Sequence, residues 1–276
     1  MNSPKEIAQN YIAIGVAKTM NPAIKTLVLG MLAGMFVALA STGATIVQAT
    51  LVNTQLASVG RLLSGAVFPT GLVMVLLAGS ELFTGNCLLI IPVLQRKIKI
   101  RAMLKNWLLV YIGNFAGSLL VALITIYGGT YSLFSNTAAA YAIYTAAGKV
   151  NMSFDAALLR GVLCNVLVCI AVWVSYAAKD IAGKVAALFF PIMLFVVSGY
   201  EHCVANMYFI PAGLLASANP VYLETYASST FGGASLDLLT WGSMITRNLV
   251  PSTIGNMIGG AVLVGMAYWF IYLRET

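Results

Sequence analysis

Residues 79–86 read GSELFTGN. An apolar run over 62–78 precedes them, and apolar character resumes over 87–94. The stretch sets a glutamate, two glycines, a threonine and an asparagine in the middle of a hydrophobic span. In hydrocarbon every backbone amide and carbonyl needs a partner, and a helix broken at glycines cannot supply them all from within. A carboxylate at the centre of a membrane helix costs about 2.5–3.5 kcal/mol when unpaired. Such an octamer belongs where protein or a water-filled pathway surrounds it.

The rest of the chain agrees that lipid is its solvent. Of 276 residues, 60% are hydrophobic and only 8% are charged, and the mean hydropathy is +0.91. A soluble domain averages about 25% charged residues. Runs of roughly 20 apolar residues mark spans at 27–51, 62–95 (interrupted), 104–127, 156–177, 185–215 (interrupted) and 250–272. These predict an all-α membrane protein with six transmembrane helices, the second and fifth broken, forming a single domain over 1–276. Residues 4–18 are too short and polar to span. Ile7, Tyr11 and Ile14 share one helical face there, which predicts an amphipathic helix on the membrane surface.

Basic residues set the orientation. Arg96, Lys97, Lys99, Arg101 and Lys105 cluster between the second and third spans, and Lys5, Lys18, Lys25, Lys179, Lys184 and Arg274 fall on the same side. Only Arg61, Lys149, Arg160 and Arg247 fall on the other. By the positive-inside rule both termini are cytoplasmic, in the cell membrane. The net charge of +7 is mostly this excess and gives no reason to invoke nucleic acid. Cys87, Cys164, Cys169 and Cys203 lie in or near apolar runs, without disulfide or metal-like spacing, and read as small packing residues. No cofactor is implied.

The opening octamer has a counterpart. GYEHCVAN at 199–206 shares the pattern G-x-E-x-x-x-x-N, matching Gly79, Glu81 and Asn86 to Gly199, Glu201 and Asn206. In the following span of each half, GNFAG at 113–117 matches GNMIG at 255–259. Three spans per half give two repeats, 27–127 and 156–272, of opposite orientation, with broken helices meeting near the bilayer midplane. Asn114 and Asn256 are placed to hydrogen-bond the backbone groups the breaks set free. The pairs Gly30/Gly34, Gly113/Gly117 and Gly255/Gly259 allow close helix approach.

His202, the single histidine, falls inside the second break beside Glu201. Ionisable groups within a span are usually functional, and histidine exchanges a proton near neutral pH. Thr84 occupies the first break after Leu82 and Phe83. If the breaks converge, Thr84 and His202 face one lumen, which Phe68, Leu72, Val168 and Phe195 could narrow. Asn165 could add a donor, and Lys149, in a non-cytoplasmic connection, could gather anions. A lumen of apolar rings with one proton donor suits a small weak-acid anion, because a bare charge in such a ring is costly. An intramembrane enzyme finds no support: there are no paired acid/base carboxylates. A single NPA, at 21–23, precedes the first span, so it does not mark a water channel.

SPKEI at 3–7, FPTGL at 68–72, GSELFTGN at 79–86, GNFAG at 113–117, RGVLCN at 160–165 and GYEHCVANM at 199–207 together resemble the formate/nitrite transporter family, nearly end to end. The resemblance implies an aquaporin-like fold, five protomers in a ring, each with its own pore, and passage of formate, nitrite or hydrosulfide. It implies that Leu82, Phe83 and Thr84 form a mobile loop at the constriction and that His202 is the central histidine. It makes Phe68 and Phe195 the outer and inner aromatic gates, or the reverse, and Asn165, Leu72, Val168 and Lys149 further pore or entrance positions. GSELFTGNCLL looks most like the hydrosulfide-conducting branch. A proton-coupled secondary transporter of formate or nitrite would use the same residues.

Overall fold

The structure, a computed structural model, describes residues 1–233 and 235–274. It is all-helical. Helix α1 covers Pro4–Met20 and α2 Ala23–Ala49. Then follow α3 (Ala57–Leu77), α4 (Phe83–Leu94), α5 (Ile100–Tyr127), α6 (Thr137–Asn151), α7 (Phe154–Ser175), α8 (Ile181–Ser198), α9 (Cys203–Ser217), α10 (Pro220–Ser228) and α11 (Trp241–Tyr272). Six of these (α2, α3, α5, α7, α8 and α11) are long and apolar enough to cross a membrane. The short apolar α4 and α9 complete the two interrupted spans.

Each break is made the same way. Helix α3 ends at Gly79 with φ +79°, and α8 at Gly199 with φ +72°. This left-handed conformation favours glycine and closes a helix C-terminus. The Ser80 amide turns back to the Val75 carbonyl, and the Tyr200 amide to the Phe195 carbonyl. The extended residues then lean on a neighbouring span: the Glu81 amide donates to Leu29 O at 3.1 Å, and the Glu201 amide to Arg160 O at 3.4 Å.

The glycine pairs bring the spans close enough for this. Helices α2 and α5 cross at Gly30, Gly34, Gly113 and Gly117, and a Cβ on Gly34 or Gly117 would strike the facing backbone at Asn114 or Met31. Helices α7 and α11 repeat the contact at Gly161, Gly255 and Gly259. Helix α11 carries π-helical turns at Met244–Leu249 and Ile258–Met266.

Two short helices differ from expectation. Helix α1 does not simply lie on lipid: Ile7 and Tyr11 are buried against protein, and the Tyr11 hydroxyl donates to Gly85 O at 3.3 Å. Asn2 ties its start to the Tyr176 and Ala177 carbonyls at the end of α7. A Ser3/Glu6 capping box opens it, and the Ser3 amide and hydroxyl hold the Glu6 carboxyl below the usual carboxylate range. Residues 137–151, read as part of a connection, form the buried helix α6, packed on α9. Lys18 stands before Gly30 at the same separation as Lys149 before Gly161, so α1 and α6 occupy corresponding places in the two halves. The four cysteines are free and buried, as expected of packing residues.

Candidate functional site

The two breaks meet. Thr84, in the first turn of α4, and His202, the N-cap of α9, lie with Oγ1 and Nε2 3.0 Å apart. The Ala205 amide donates to His202 Nδ1 at 3.0 Å. A nitrogen that accepts from an N–H carries no proton of its own, so the neutral ring bears its hydrogen on Nε2 and donates it to Thr84 Oγ1. The Thr84 hydroxyl proton is then free to point elsewhere. At the corresponding places of the opposite breaks stand Leu82, matching His202, and Val204, matching Thr84. The repeat thus sets a polar residue of each break opposite an apolar counterpart in the other.

Asparagines hold the breaks open. Asn114 Nδ2 donates to Gly30 O and Glu81 O at 2.7 and 2.9 Å, and Oδ1 accepts from the Phe83 amide at 3.0 Å. Asn256 copies this with Gly161 O, Glu201 O and the Cys203 amide at 2.7, 2.9 and 3.0 Å. Both therefore act on freed backbone groups as the sequence implied. Asn165 has a similar task. Its Nδ2 reaches Thr84 O at 3.2 Å and Asn256 O at 2.7 Å, so it steadies the Thr84 loop and is not a lumen donor. Gly260 makes room for it, since a Cβ there would meet Asn165, Cys169 and Cys87.

The break glutamates are paired. Lys18 Nζ lies 3.2 Å from Glu81 Oε2 and Lys149 Nζ 2.9 Å from Glu201 Oε1. Asn86 donates to Glu81 and to Asn106 Oδ1. Asn206 donates to Glu201 and Asn248 at 2.7 Å each, and Asn248 to Glu201 at 3.0 Å. Pairing of this kind is what allows a carboxylate to remain charged inside a membrane protein. It also corrects the reading of Lys149: the residue ends a buried helix and is neutralised by Glu201, so it is not a free cation in a loop. Lys18, Asn106 and Asn248 escaped sequence reasoning, although Asn106 and Asn248 precede the two shared IGN triplets at equal spacing.

A cavity approaches the Thr84–His202 contact from either side. One, of about 90 Å³, reaches His202 and is lined by Phe68, Phe195, Phe209, Lys149, Asn206 and Arg61 among others. The other, of about 240 Å³, is lined by Leu72, Val75, Leu82, Glu81, Lys18 and Val172 among others. Neither is lined by Thr84, which is fully buried. Phe68 and Phe195 are not on opposite sides. Their rings touch edge to face at 5.4 Å, Phe209 stacks on Phe68 at 6.5 Å, and Phe195 lies over the His202 ring at 5.8 Å. They form one aromatic cluster, because Phe195 aligns with Val75 of the other half and Phe68 with Leu188. Phe83 turns away from both cavities to pack on Trp107 and Tyr111, and Val168 is buried without lining either.

Membrane-length helices, two half-helices meeting at their N-terminal ends and a cavity on each side of the meeting point define a membrane channel or transporter, not an enzyme. Comparison with known proteins gives the family. The chain matches the formate/nitrite transporter family over residues 5–270 and belongs to it. It is 35% identical to the formate channel FocA of Escherichia coli K12, over 99% of this chain and 95% of that protein. It is also 35% identical to a probable formate transporter of Methanothermobacter thermautotrophicus, over 99% and 98%. Among solved structures, a pentameric formate channel with formate bound superposes with a TM-score of 0.80 at 32% identity, covering 91% of this chain and 98% of that one. An FNT family ion channel gives 0.80 at 30% identity, covering 96% and 98%.

Proposed function

We propose that the protein is a pentameric channel of the cytoplasmic membrane, both termini inside, passing small monovalent weak-acid anions: formate, nitrite or hydrosulfide. The observation that carries this reading is the 3.0 Å contact between Thr84 and His202, a buried polar pair between two cavities. Carboxylate-free hydrogen-bond donors at that point favour an anion over a cation. The apolar side chains on either side, Phe68 and Phe195 toward one cavity and Leu72 and Leu82 toward the other, favour a species that can lose its charge.

The cap on Nδ1 shapes how His202 acts. Loss of the Nε2 proton from a neutral ring would leave an imidazolate, and adding a proton at Nδ1 would displace the Ala205 amide. The ring therefore polarises the anion through the Thr84 hydroxyl, while the proton that neutralises the anion comes from a water of the adjoining cavity, whose hydroxide is re-protonated from bulk solvent. Asn165 and Cys169, both bonded to Thr84 O, hold the loop for this.

Proteoliposomes exposed side by side to formate, nitrite, hydrosulfide and chloride test the reading. Rapid swelling with the weak-acid anions and little with chloride is expected. His202→Phe lowers the flux by up to about tenfold, the weight of one lost hydrogen bond between neutral groups. Unaltered flux at every pH rejects the role of His202. A proton-coupled secondary transporter is the second reading, favoured by the two cavities being separated by buried Thr84. Large unitary currents support the channel, and a fixed count of one proton per anion supports the transporter.

A further inference from the structure

Lys149 cannot supply net positive charge to the cavity that reaches His202, because Glu201 cancels it at 2.9 Å. Its ammonium also rests over the Phe209 ring, 5.5 Å from the centroid. The cavity has one more cation. Arg61, on α3, lines the same space together with Gln48, Thr145, Tyr141 and Tyr200. Among the described residues no carboxylate lies within ion-pair distance of Arg61. Its Nε donates to Val197 O at 3.3 Å, which fixes the guanidinium against the C-terminal turn of α8. Its Nη2 stands over Gly199, where a Cβ would come within 2.8 Å. The Nη groups make no hydrogen bond among the described residues.

We propose that Arg61 is the anion-collecting residue of this cavity: its guanidinium draws a small planar oxyanion, a carboxylate or nitrite, to the mouth of the second break, ahead of the Phe68/Phe195 cluster. The inference rests on the anion-channel reading and deepens it. The chemistry fits the side chain. A guanidinium stays charged at every relevant pH, and its parallel N–H groups match the two oxygens of a carboxylate. A cleft with low-dielectric walls and one uncompensated charge concentrates counter-ions. The opposite cavity has no such charge: of its lining residues only Lys18 and Glu81 are charged, and they pair with each other. The two mouths therefore differ. The cavity on the His202 side carries an uncompensated charge in its own lining, and the cavity on the Glu81 side does not.

The test is formate uptake into intact cells or vesicles of known orientation, across a range of ionic strength, for the wild type, Arg61→Gln and Arg61→Lys. With formate on the α6 side, R61Q is expected to lower uptake about three- to tenfold at low salt, a modest share of what electrostatic steering can give. The deficit should vanish near 0.5 M salt, where the screening length is only about 4 Å. R61K should keep the wild-type salt dependence, and formate presented from the Glu81 side should not distinguish the variants. Equal salt dependence in wild type and R61Q overturns the proposal. So does a deficit that persists at high salt, since that reports only the lost bond to Val197. A wild-type protein that passes no formate overturns the channel reading itself, a result distinct from both.

Discussion

Thr84 and His202 stand 118 positions apart in the chain and 3.0 Å apart in space. The contact joins the first turn of one half-helix to the N-cap of the other. It is where the two breaks address each other with polar side chains; elsewhere the halves are also joined by Tyr111 to Thr253 and Thr42 to Tyr208.

Replacing Thr84 by valine removes the only acceptor for His202 Nε2–H among the described residues and leaves a buried donor unpaired. That costs about 1–3 kcal/mol. Thr84→Ser keeps the oxygen and should retain both flux and stability. Thermal unfolding in detergent, read beside anion flux, checks this: equal behaviour of the valine and serine variants contradicts the bond.

The ion pair of Lys149 and Glu201 is expected to behave as a coupled unit. Glu201→Gln or Lys149→Met alone leaves one charge buried without its partner, at a cost of about 3–5 kcal/mol. The double variant should recover most of the loss. A double-mutant cycle on unfolding temperature measures the coupling, and strict additivity of the two single effects is the contrary result.

Glycines separate into two kinds. A Cβ on Gly117 would meet the Met31 carbonyl, whereas one on Gly148 meets nothing within 4 Å. Gly117→Ala should therefore push α2 from α5 and lower stability by at least about 1–3 kcal/mol, as overpacking does. Gly148→Ala, on an exposed face of α6, should raise stability by about 0.4–1 kcal/mol. Comparing the two variants by thermal denaturation checks the pairing of close approach with small residues.

Much of this was legible in the chain itself, for physical reasons. Lipid forces apolar runs of fixed length, so six spans could be counted. A broken helix needs glycines and partners for its backbone, so the repeated G-x-E-x-x-x-x-N and the two GN pairs exposed the duplication and, through it, the meeting of Thr84 with His202. What stayed hidden depends on side chains from distant segments. Residues 137–151 are too short to span and therefore looked like a connection, so the partner of Glu201 was missed. Lys18 was lost in the same way, because α1 carries few marks beyond Ile7, Tyr11 and Ile14. Phe68 and Phe195 lie at unrelated places in the repeat, and no one-dimensional pattern says that two such residues share a face. Asn165 looked like a pore donor because the sequence does not show that both its partners are carbonyls.

The asparagine that closes each break comes from a span made later than the break. For the second break that residue is Asn256, in α11. A polypeptide still emerging from the ribosome must therefore insert 199–206 before its stitching group exists, and only release of α11 completes it. Chains cut before α11 should linger with the insertion machinery or be degraded, so maturation of the second break is tied to the synthesis of α11.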